Sequence, residues 1–372
     1  MNKFYVVCNT YYPNTAFSNR VFSFLRGFSE LGVDVEVVFL TPDSEMSKVQ
    51  ETYPHITFKY MWENLPFSNR IFNKFADEFY GWKFAWSLKP GDVVFLTNFG
   101  NVFFKVVKRK GVKVVHEKTE HPDVYSFKGF NVERYKREVV KVDGMFVIST
   151  ALKDYFVSCG LPKEKIEIVN MTVDSNRFVG LTKQPSEKYI AYCGTASNNK
   201  DGELIKSFAI VNKTHPEVKL YIIGKTPDKN DASGNLKLIE NLGVKDSIVF
   251  TGIVSAADIP QILKNAAVLA LDRPDSLQAQ CGFPTKLGEY LLTENPVIVT
   301  KVGDIPLFLK DGETALLVEE RNPKEFSSKI IWALEHPEEA TEIGKAGAQV
   351  AMREFNYLNE TKKIIDVINR LS

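Results

Sequence analysis

The chain has 372 residues, of which 44% are hydrophobic and 25% charged, and its formal net charge at pH 7 is +1. This length allows two or three domains, each able to bury its own core. Residues 1–180 carry 24 Lys and Arg against 20 Asp and Glu, a surplus too small to indicate a nucleic-acid partner.

The cysteines and the apolar residues bear on the compartment in which the protein works. Four scattered cysteines lack the short spacing of a zinc site and are expected to be free thiols in a reducing compartment: Cys8, Cys159, Cys193 and Cys281. No apolar run reaches the length of a membrane span, and the first predicted strand, Phe4–Cys8, begins after three residues. These features predict no signal peptide and a cytoplasmic protein, with contact at the inner face of the membrane left open.

The first predicted strand is followed by a helix and a second strand. The loop of residues 9–19 leads into a predicted helix over Val21–Leu31, which Gly32 ends before a strand over Val33–Leu40. Asn19 and Arg20 open this helix, and we place them on the acceptor side of a ligand site. The alternative for Arg20 is an ordinary surface arginine.

Aromatic residues are concentrated in the first half of the chain, where 21 of the 27 Phe lie before residue 181. A predicted helical region, 63–90, is especially rich in them: Phe67, Phe72, Phe75, Phe79, Trp82, Phe84 and Trp86. Lysines flank this region, and a basic helix is predicted over 102–110. Two interpretations remain, a Phe-rich core or a surface for a lipid-linked acceptor at a membrane.

A polar cluster follows the predicted strand Lys113–Lys118. Open α/β sheets place binding groups just beyond the carboxyl ends of their parallel strands. Glu120 and His121 lie at that point and are candidates to approach a bound sugar. The alternative is a capped loop in which the histidine has its hydrogen bonds satisfied.

The second half of the chain has two candidate phosphate-binding segments. Gly194 follows the predicted strand Tyr189–Cys193 and lets the backbone approach a ligand, while Lys200 can reach over the same loop. Further on, strand Val268–Leu271, a polar loop, a helix starting near Pro284 and strand Val297–Thr300 form a βαβ unit. The helix start favours phosphate, and a carboxylate one turn later can accept from a ribose diol.

This segment, GFPTKLGEYLLTENPVIVT, resembles the signature helix of the retaining, nucleotide-sugar-dependent glycosyltransferases usually called family 4. The resemblance is to the branch with a proline-x-lysine-x-x-glutamate-tyrosine motif, here Pro284, Lys286, Glu289 and Tyr290. The glutamate that often lies eight positions before Glu289 is replaced by Cys281. The resemblance implies an α/β protein of GT-B fold, with two Rossmann-like doubly wound domains facing a central cleft.

The resemblance also implies the domain boundaries and their roles. An acceptor-binding domain is expected over 1–180, with a C-terminal helix, 357–372, that packs back on it. A nucleotide-sugar-binding domain is expected over 181–356.

The residues implied for the donor nucleotide follow the family's motifs. They are Gly194, Thr195, Lys200, Gly252, Ile253, Val254, Phe283, Pro284, Thr285, Lys286 and Glu289. The family's arginine after the first glycine is replaced by Thr195, for which Lys286 is a candidate substitute. Catalytic roles are assigned to four residues. Lys200 and Lys286 can stabilise the charge of the leaving diphosphate, and Glu120 and His121 are the candidates to approach the donor sugar. We expect no cofactor and no metal, because no supported Asp-x-Asp motif occurs.

The predicted function is the transfer of a sugar from a nucleoside-diphosphate sugar to a glycan or lipid-linked acceptor, with retention of anomeric configuration, in the synthesis of polysaccharide or cell-surface glycan. The partners are therefore a nucleotide sugar, such an acceptor and, at most, a membrane surface. A dehydrogenase is disfavoured because neither of the loops after the first strand of each half, Asn9–Asn19 and Gly194–Gly202, has the G-x-G-x-x-G pattern. A catalytically impaired nucleotide-sugar-binding protein and a GT-B nucleotide-sugar epimerase remain as alternatives.

Overall fold

A computed structural model of the chain describes residues 2–8, 16–40, 53–61, 70–97, 101–124, 131–184, 187–194, 202–227 and 234–371. The chain divides into two units. The first comprises Met1–Thr172 and Tyr357–Ser372, and the second comprises Val173–Asn356. The first unit therefore ends eight residues before the predicted position 180, and the C-terminal segment returns to it.

Each unit contains one sheet whose described strands all pair in parallel. The first sheet has β1 (Phe4–Cys8), β2 (Val35–Phe39), β3 (Ile56–Tyr60), β4 (Val93–Leu96), β5 (Lys113–Lys118), β6 (Gly144–Val147) and β7 (Ile166–Ile168). The second has β8 (Tyr189–Cys193), β9 (Lys219–Ile223), β10 (Ile248–Gly252), β11 (Val268–Leu271), β12 (Val297–Thr300) and β13 (Leu316–Val318). The orders across the sheets are β3-β2-β1-β4-β5-β6-β7 and β10-β9-β8-β11-β12-β13.

Helices alternate with these strands along the chain. They are α1 (Ala16–Glu30), α2 (Arg70–Ser87), α3 (Asn101–Val106), α4 (Val132–Val139), α5 (Thr150–Ser158), α6 (Glu203–Thr214), α7 (Asn235–Leu242), α8 (Ile259–Asn265), α9 (Leu277–Cys281), α10 (Thr285–Leu292), α11 (Ile305–Phe308), α12 (Pro323–Glu335), α13 (Pro337–Glu354) and α14 (Tyr357–Leu371). No helix in the described part of the chain is long and apolar enough to cross a membrane.

Both sheets have the doubly wound order that the alternation of strands and helices predicts. Their central strands are continuous apolar runs; β4 and β11, for example, are buried along their whole length. This is expected for parallel strands covered by helices on both faces. Strand β3 and the short helix α9 were not predicted from the sequence.

The C-terminal helix α14 is part of the core of the first unit. Ile364 and Ile368 belong to the same buried cluster as Phe24 and Phe28 of α1. A Cβ added at Gly27 of α1 would lie 2.3 Å from the hydroxyl of Thr361, so the two helices are in direct contact there. The expected return of the last helix to the first unit is therefore observed.

The expectation that Arg20 lies at an open ligand site is wrong. Its side chain is 6% exposed, and its Nε donates to the buried carboxylate of Glu117 on β5 at 2.9 Å. The two remaining guanidinium nitrogens donate to the carbonyls of Asn170 at 2.6 Å and Val169 at 2.9 Å. These bonds join the start of α1 to β5 and to the segment after β7, so Arg20 has a structural role. The neighbouring Asn19 is exposed and stays a candidate for the acceptor side.

Candidate functional site

The best-formed candidate site lies at the carboxyl end of the second sheet, between β8 and β11. The strand order changes direction at this pair, because β9 follows β8 on one side and β12 follows β11 on the other. Open α/β sheets bind ligands in the crevice that such a switch point creates. Cys193 and Gly194 leave β8 there, and Asp272 and Arg273 leave β11.

Helix α10 presents two charged side chains to this crevice. Lys286 and Glu289 are three positions apart and therefore share a face, while Leu287 and Leu291 on the other side are fully buried. The ammonium of Lys286 donates to the carbonyl of Cys193 at the end of β8. The helix starts directly after Pro284, whose side chain makes no cap, so the first backbone amides are available to a ligand.

Tyr290 fixes α10 against the end of β8. Its buried hydroxyl accepts a hydrogen bond from the backbone N–H of Cys193 at 2.6 Å. Burial raises the pKa of this phenol well above its ordinary value, so the hydroxyl stays neutral. A neutral hydrogen bond therefore fixes α10, which carries Lys286, to the end of β8.

Gly194 and the side chain of Lys286 approach each other closely. A Cβ at this position would lie 2.8 Å from the Nζ of Lys286 and 2.8 Å from the hydroxyl of Tyr192. The Nζ of Lys286 also lies 5.8 Å from the centroid of the Tyr192 ring. The sequence-based prediction that Gly194 and Lys286 belong to one site agrees with this geometry.

Glu289 has a partner that the sequence analysis missed. Arg177, in the 3₁₀ turn Ser175–Phe178, donates through Nη1 to the Oε1 of Glu289 and through Nη2 to the carbonyl of Ala256 at 2.7 Å. Both charged side chains are about a quarter exposed, so the pair is reachable by solvent. The pair orients the carboxylate and leaves its second oxygen for a ligand.

Arg273 is a second cation that sequence reasoning did not identify. Its backbone is held by Thr300, whose hydroxyl accepts from the Arg273 N–H at 2.9 Å and donates to its carbonyl at 3.1 Å. The Nη1 atom is buried and has no hydrogen-bond partner among the described residues. Burial lowers the pKa of the guanidinium to about 10, and the nearby Tyr192 hydroxyl opposes that effect. An unsatisfied buried donor at a switch point calls for an anion or a hydroxyl from a ligand.

The other residues predicted to bind the nucleotide differ in their exposure to solvent. Gly252 ends β10 with φ of 72° and pairs with Ile223 of β9, whereas the next residue, Ile253, is 85% exposed. The ring of Phe283 is buried and packs 5.5 Å from Phe308. The role predicted for Phe283 at the nucleotide therefore stays a prediction, with its ring packed in the core of the second unit.

Cys281 ends α9 and is buried, with 5% of its surface exposed. It forms no disulfide, and neither do the other three cysteines. Burial raises the pKa of its thiol, so the position where related sequences have a glutamate carries no charge here. Thr195 and Lys200 lie outside the described residues.

The predicted polar cluster of the first unit is present after β5. His121 is buried against Tyr155, with ring centroids 4.1 Å apart, and burial lowers the pKa of its imidazole. Its Nδ1 accepts from the backbone N–H of Asp123 at 3.2 Å, which leaves the proton on Nε2. His121 can thus donate a hydrogen bond, whereas Glu120 is half-exposed beside it.

Lys118, at the end of β5, was not predicted as a site residue. It is 3% exposed, and burial lowers the pKa of its ammonium to about 6. Across the described ranges, no three or more His, Cys, Asp or Glu side chains are grouped as metal ligands would be.

Comparisons with known proteins identify the second unit. Residues 175–350 match the family model described as glycosyl transferases group 1. The D-inositol 3-phosphate glycosyltransferase of Segniliparus rotundus is 25% identical over 201 residues, which is 51% of this chain and 44% of the relative. The second unit is therefore similar to the group 1 glycosyltransferases over most of its length.

A second curated relative is the mannosylfructose-phosphate synthase of Agrobacterium fabrum. It is 20% identical over 237 residues, or 59% of this chain and 50% of the relative. The chain therefore spans about half the length of the curated relatives it matches.

Solved structures extend the likeness in fold to the whole chain. Anabaena HepE in complex with UDP has a TM-score of 0.76 at 14% identity, covering 99% of this chain and 100% of HepE. Sucrose-phosphate synthase from Thermosynechococcus elongatus has a TM-score of 0.77 at 14% identity, covering 100% and 99%. The expected two-domain, Rossmann-like α/β fold of the GT-B class is confirmed.

Proposed function

We propose that the chain transfers a sugar from a nucleoside-diphosphate sugar to a glycan or lipid-linked acceptor, with retention of configuration at the anomeric carbon. One observation carries the proposal: Lys286 and Glu289 share a face of α10 at the switch point between β8 and β11, beside Gly194. A phosphate-binding helix start and a ribose-binding carboxylate are the two groups that a nucleoside diphosphate needs.

The chemistry of transfer explains why cations surround this crevice. The bond between the anomeric carbon and the diphosphate oxygen breaks, and negative charge grows on the leaving diphosphate as the sugar becomes oxocarbenium-like. Lys286, Arg273 and the free amides at the start of α10 are suited to stabilise that charge.

In the proposed reaction, the acceptor hydroxyl attacks from the face that the diphosphate leaves and gives its proton to the leaving phosphate. No nucleophile from the protein is required by this route. We nominate none, and no metal.

UDP is the first donor nucleotide to test. HepE was solved with UDP and, in a further structure, with UDP-glucose. The segment Gly252–Val254, which includes the exposed Ile253 just after β10, is the part proposed to bind the base. We propose a role in polysaccharide or cell-surface glycan synthesis, in the cytoplasm.

We expect Glu289→Ala to weaken UDP binding by about 1.5–3 kcal/mol, because the variant loses a charge-assisted hydrogen bond to the ribose. Calorimetry with UDP and GDP measures this change. Glu342→Ala, which removes an exposed carboxylate of the second unit, is the matched control and should bind normally.

If Arg177 acts by orienting Glu289, the double variant Arg177→Ala with Glu289→Ala should bind no more weakly than Glu289→Ala alone. Unchanged affinity in folded Glu289→Ala removes this residue from the site.

The stereochemistry of transfer has its own test. Hydrolysis or transfer of UDP-glucose should give a product of unchanged anomeric configuration, read by proton NMR immediately after turnover. A product of opposite configuration contradicts the retaining reaction.

A nucleotide-sugar-binding protein without turnover is the second candidate function. The observation that favours it is the buried, neutral Cys281 at the position of a family glutamate. Tight binding of UDP-glucose without hydrolysis, transfer or epimerisation would support this alternative.

A further inference from the structure

We propose that one face of α2 and the basic pocket next to it form a docking surface for an anionic phospholipid bilayer. We call the face made by Phe75, Phe79, Trp82 and Trp86 the aromatic face. The proposal adds a membrane partner to the transferase and does not depend on the transfer reaction. It is argued from exposure, geometry and charge within the first unit.

The aromatic face is exposed to solvent. Phe75, Phe79, Trp82 and Trp86 are 71%, 64%, 53% and 65% exposed. At 3.6 residues per turn, positions 75, 79, 82 and 86 fall within an arc of about 60° on the helix surface. The rings of Trp82 and Trp86 are stacked, with centroids 6.2 Å apart. Four large aromatic side chains thus form one continuous apolar strip on the outside of the unit.

The opposite side of α2 is fixed to the body of the unit. Phe84 lies half a turn away from the strip and packs edge-on against Tyr5 of β1, with ring centroids 5.6 Å apart. A Cβ at Gly81 would lie 2.9 Å from the side chain of Val102 on α3, and Ala85 and Leu88 are buried. Because these contacts hold the helix in one rotation, the aromatic face cannot turn into the core.

A cationic cavity of about 430 Å³ adjoins the two tryptophans. Lys108, Arg109 and Arg134 line it, whereas Glu78 is already paired with Lys105. The Arg109 guanidinium lies 5.3 Å from the centroid of the Trp86 ring. The Nε of Arg109 is buried and has no hydrogen-bond partner in the part of the chain that the structure describes. A lipid phosphate in this cavity would satisfy that donor and neutralise the excess of positive charge.

The combination of aromatic and cationic groups favours a bilayer over a second copy of the chain. Tryptophan is enriched at the boundary between headgroups and acyl chains, where an apolar ring meets a wet surface. Protein interfaces, by contrast, are depleted in lysine, and a self-association would bring this cationic cavity against its own copy. Exposed apolar strips of this kind are rare on monomers unless they bind a partner.

The test is flotation of the full chain with phosphatidylcholine vesicles, with and without phosphatidylglycerol, at low and high salt. No sugar nucleotide is present, so failure to float leaves the proposed transfer reaction untouched. We expect binding only to the vesicles that contain phosphatidylglycerol, and weaker binding at high salt.

Two pairs of variants locate the surface. The double variant Trp82→Ser, Trp86→Ser should bind at least tenfold more weakly than the unmodified chain. Its control is the double variant Val179→Ser, Leu307→Ser, which removes two exposed apolar residues of the second unit and should bind normally. Lys108→Glu with Arg134→Glu should abolish binding at low salt. Lys237→Glu with Lys324→Glu makes the same change of net charge in the second unit and should have little effect. Thermal unfolding shows that each variant is folded.

Three results would overturn the proposal. The first is a chain that stays unbound to anionic vesicles at low salt. The second is equal flotation of the tryptophan variant and its control. The third is a dimer, seen by analytical ultracentrifugation, that the tryptophan substitutions dissociate, because the aromatic face would then bind a second copy.

Discussion

Replacing Lys286 with alanine should lower kcat by about 10²–10³-fold, which corresponds to roughly 2.7–4 kcal/mol of lost transition-state stabilisation. The ammonium lies beside Gly194 and the end of β8, where the proposed diphosphate binds, and its present partner is a neutral carbonyl. The charge on the leaving group grows as its bond to the sugar breaks. The lysine therefore interacts more strongly with the transition state than with the bound donor, and kcat should fall more than KM rises.

The measurement is steady-state hydrolysis or transfer of UDP-glucose, combined with calorimetric affinity for UDP. Lys324→Ala is the matched control, because it removes an exposed lysine of the same unit at the start of α12. Thermal unfolding separates a catalytic loss from a loss of folded protein. A raised KM with unchanged kcat would show that Lys286 binds the donor and does not act on the leaving group.

Much of the fold could be predicted because parallel, fully buried strands are visible in the sequence as short apolar runs. Strands β1, β5, β8, β11 and β12 have the predicted bounds, and α14 begins at the predicted residue, Tyr357. The grouping of Lys286 and Glu289 was predictable for a similar reason, since two residues on one helix have a spacing that the sequence states directly. Gly194 could be added to this site because it directly follows β8, which was predicted from its apolar run.

The partners of the charged side chains were not predictable in the same way. Arg177 pairs with Glu289 across 112 positions of sequence, and Arg20 pairs with Glu117 across 97. Such pairs depend on which strand ends become neighbours in the folded sheet, and local spacing carries no information about that. Arg273 had only one available signal, its position directly after a buried strand.

The aromatic region shows a different limit. Its composition fits a core helix and an interfacial helix equally well. What separates them is the rotation of α2 against the sheet, which packs the half-buried Phe84 against Tyr5 and exposes Phe79 and Trp86. The interpretation of this stripe as ordinary core is wrong for the four residues of the aromatic face. Their spacing of four, three and four positions was the signal in the sequence.

Replacing Arg20 with alanine should destabilise the first unit by about 3–5 kcal/mol, because the change leaves the carboxylate of Glu117 buried without its partner. The same substitution removes the donors to the carbonyls of Val169 and Asn170. The backbone N–H of Asn170 in turn donates to Glu360 of α14 at 2.6 Å, so the loss extends to the contact of the C-terminal helix.

Urea denaturation followed by circular dichroism measures this loss, with the exposed Arg137→Ala as the control. Arg20→Met combined with Glu117→Met should recover part of the stability, because it removes both buried charges together and leaves only the two carbonyls without their donors. If Arg20 instead binds the acceptor, as the sequence predicted, the substitution should change the KM for the acceptor and leave the stability unchanged. A folded Arg20→Ala of unchanged stability with a raised KM for the acceptor would show that Arg20 binds the acceptor and that its buried bonds contribute little to the fold.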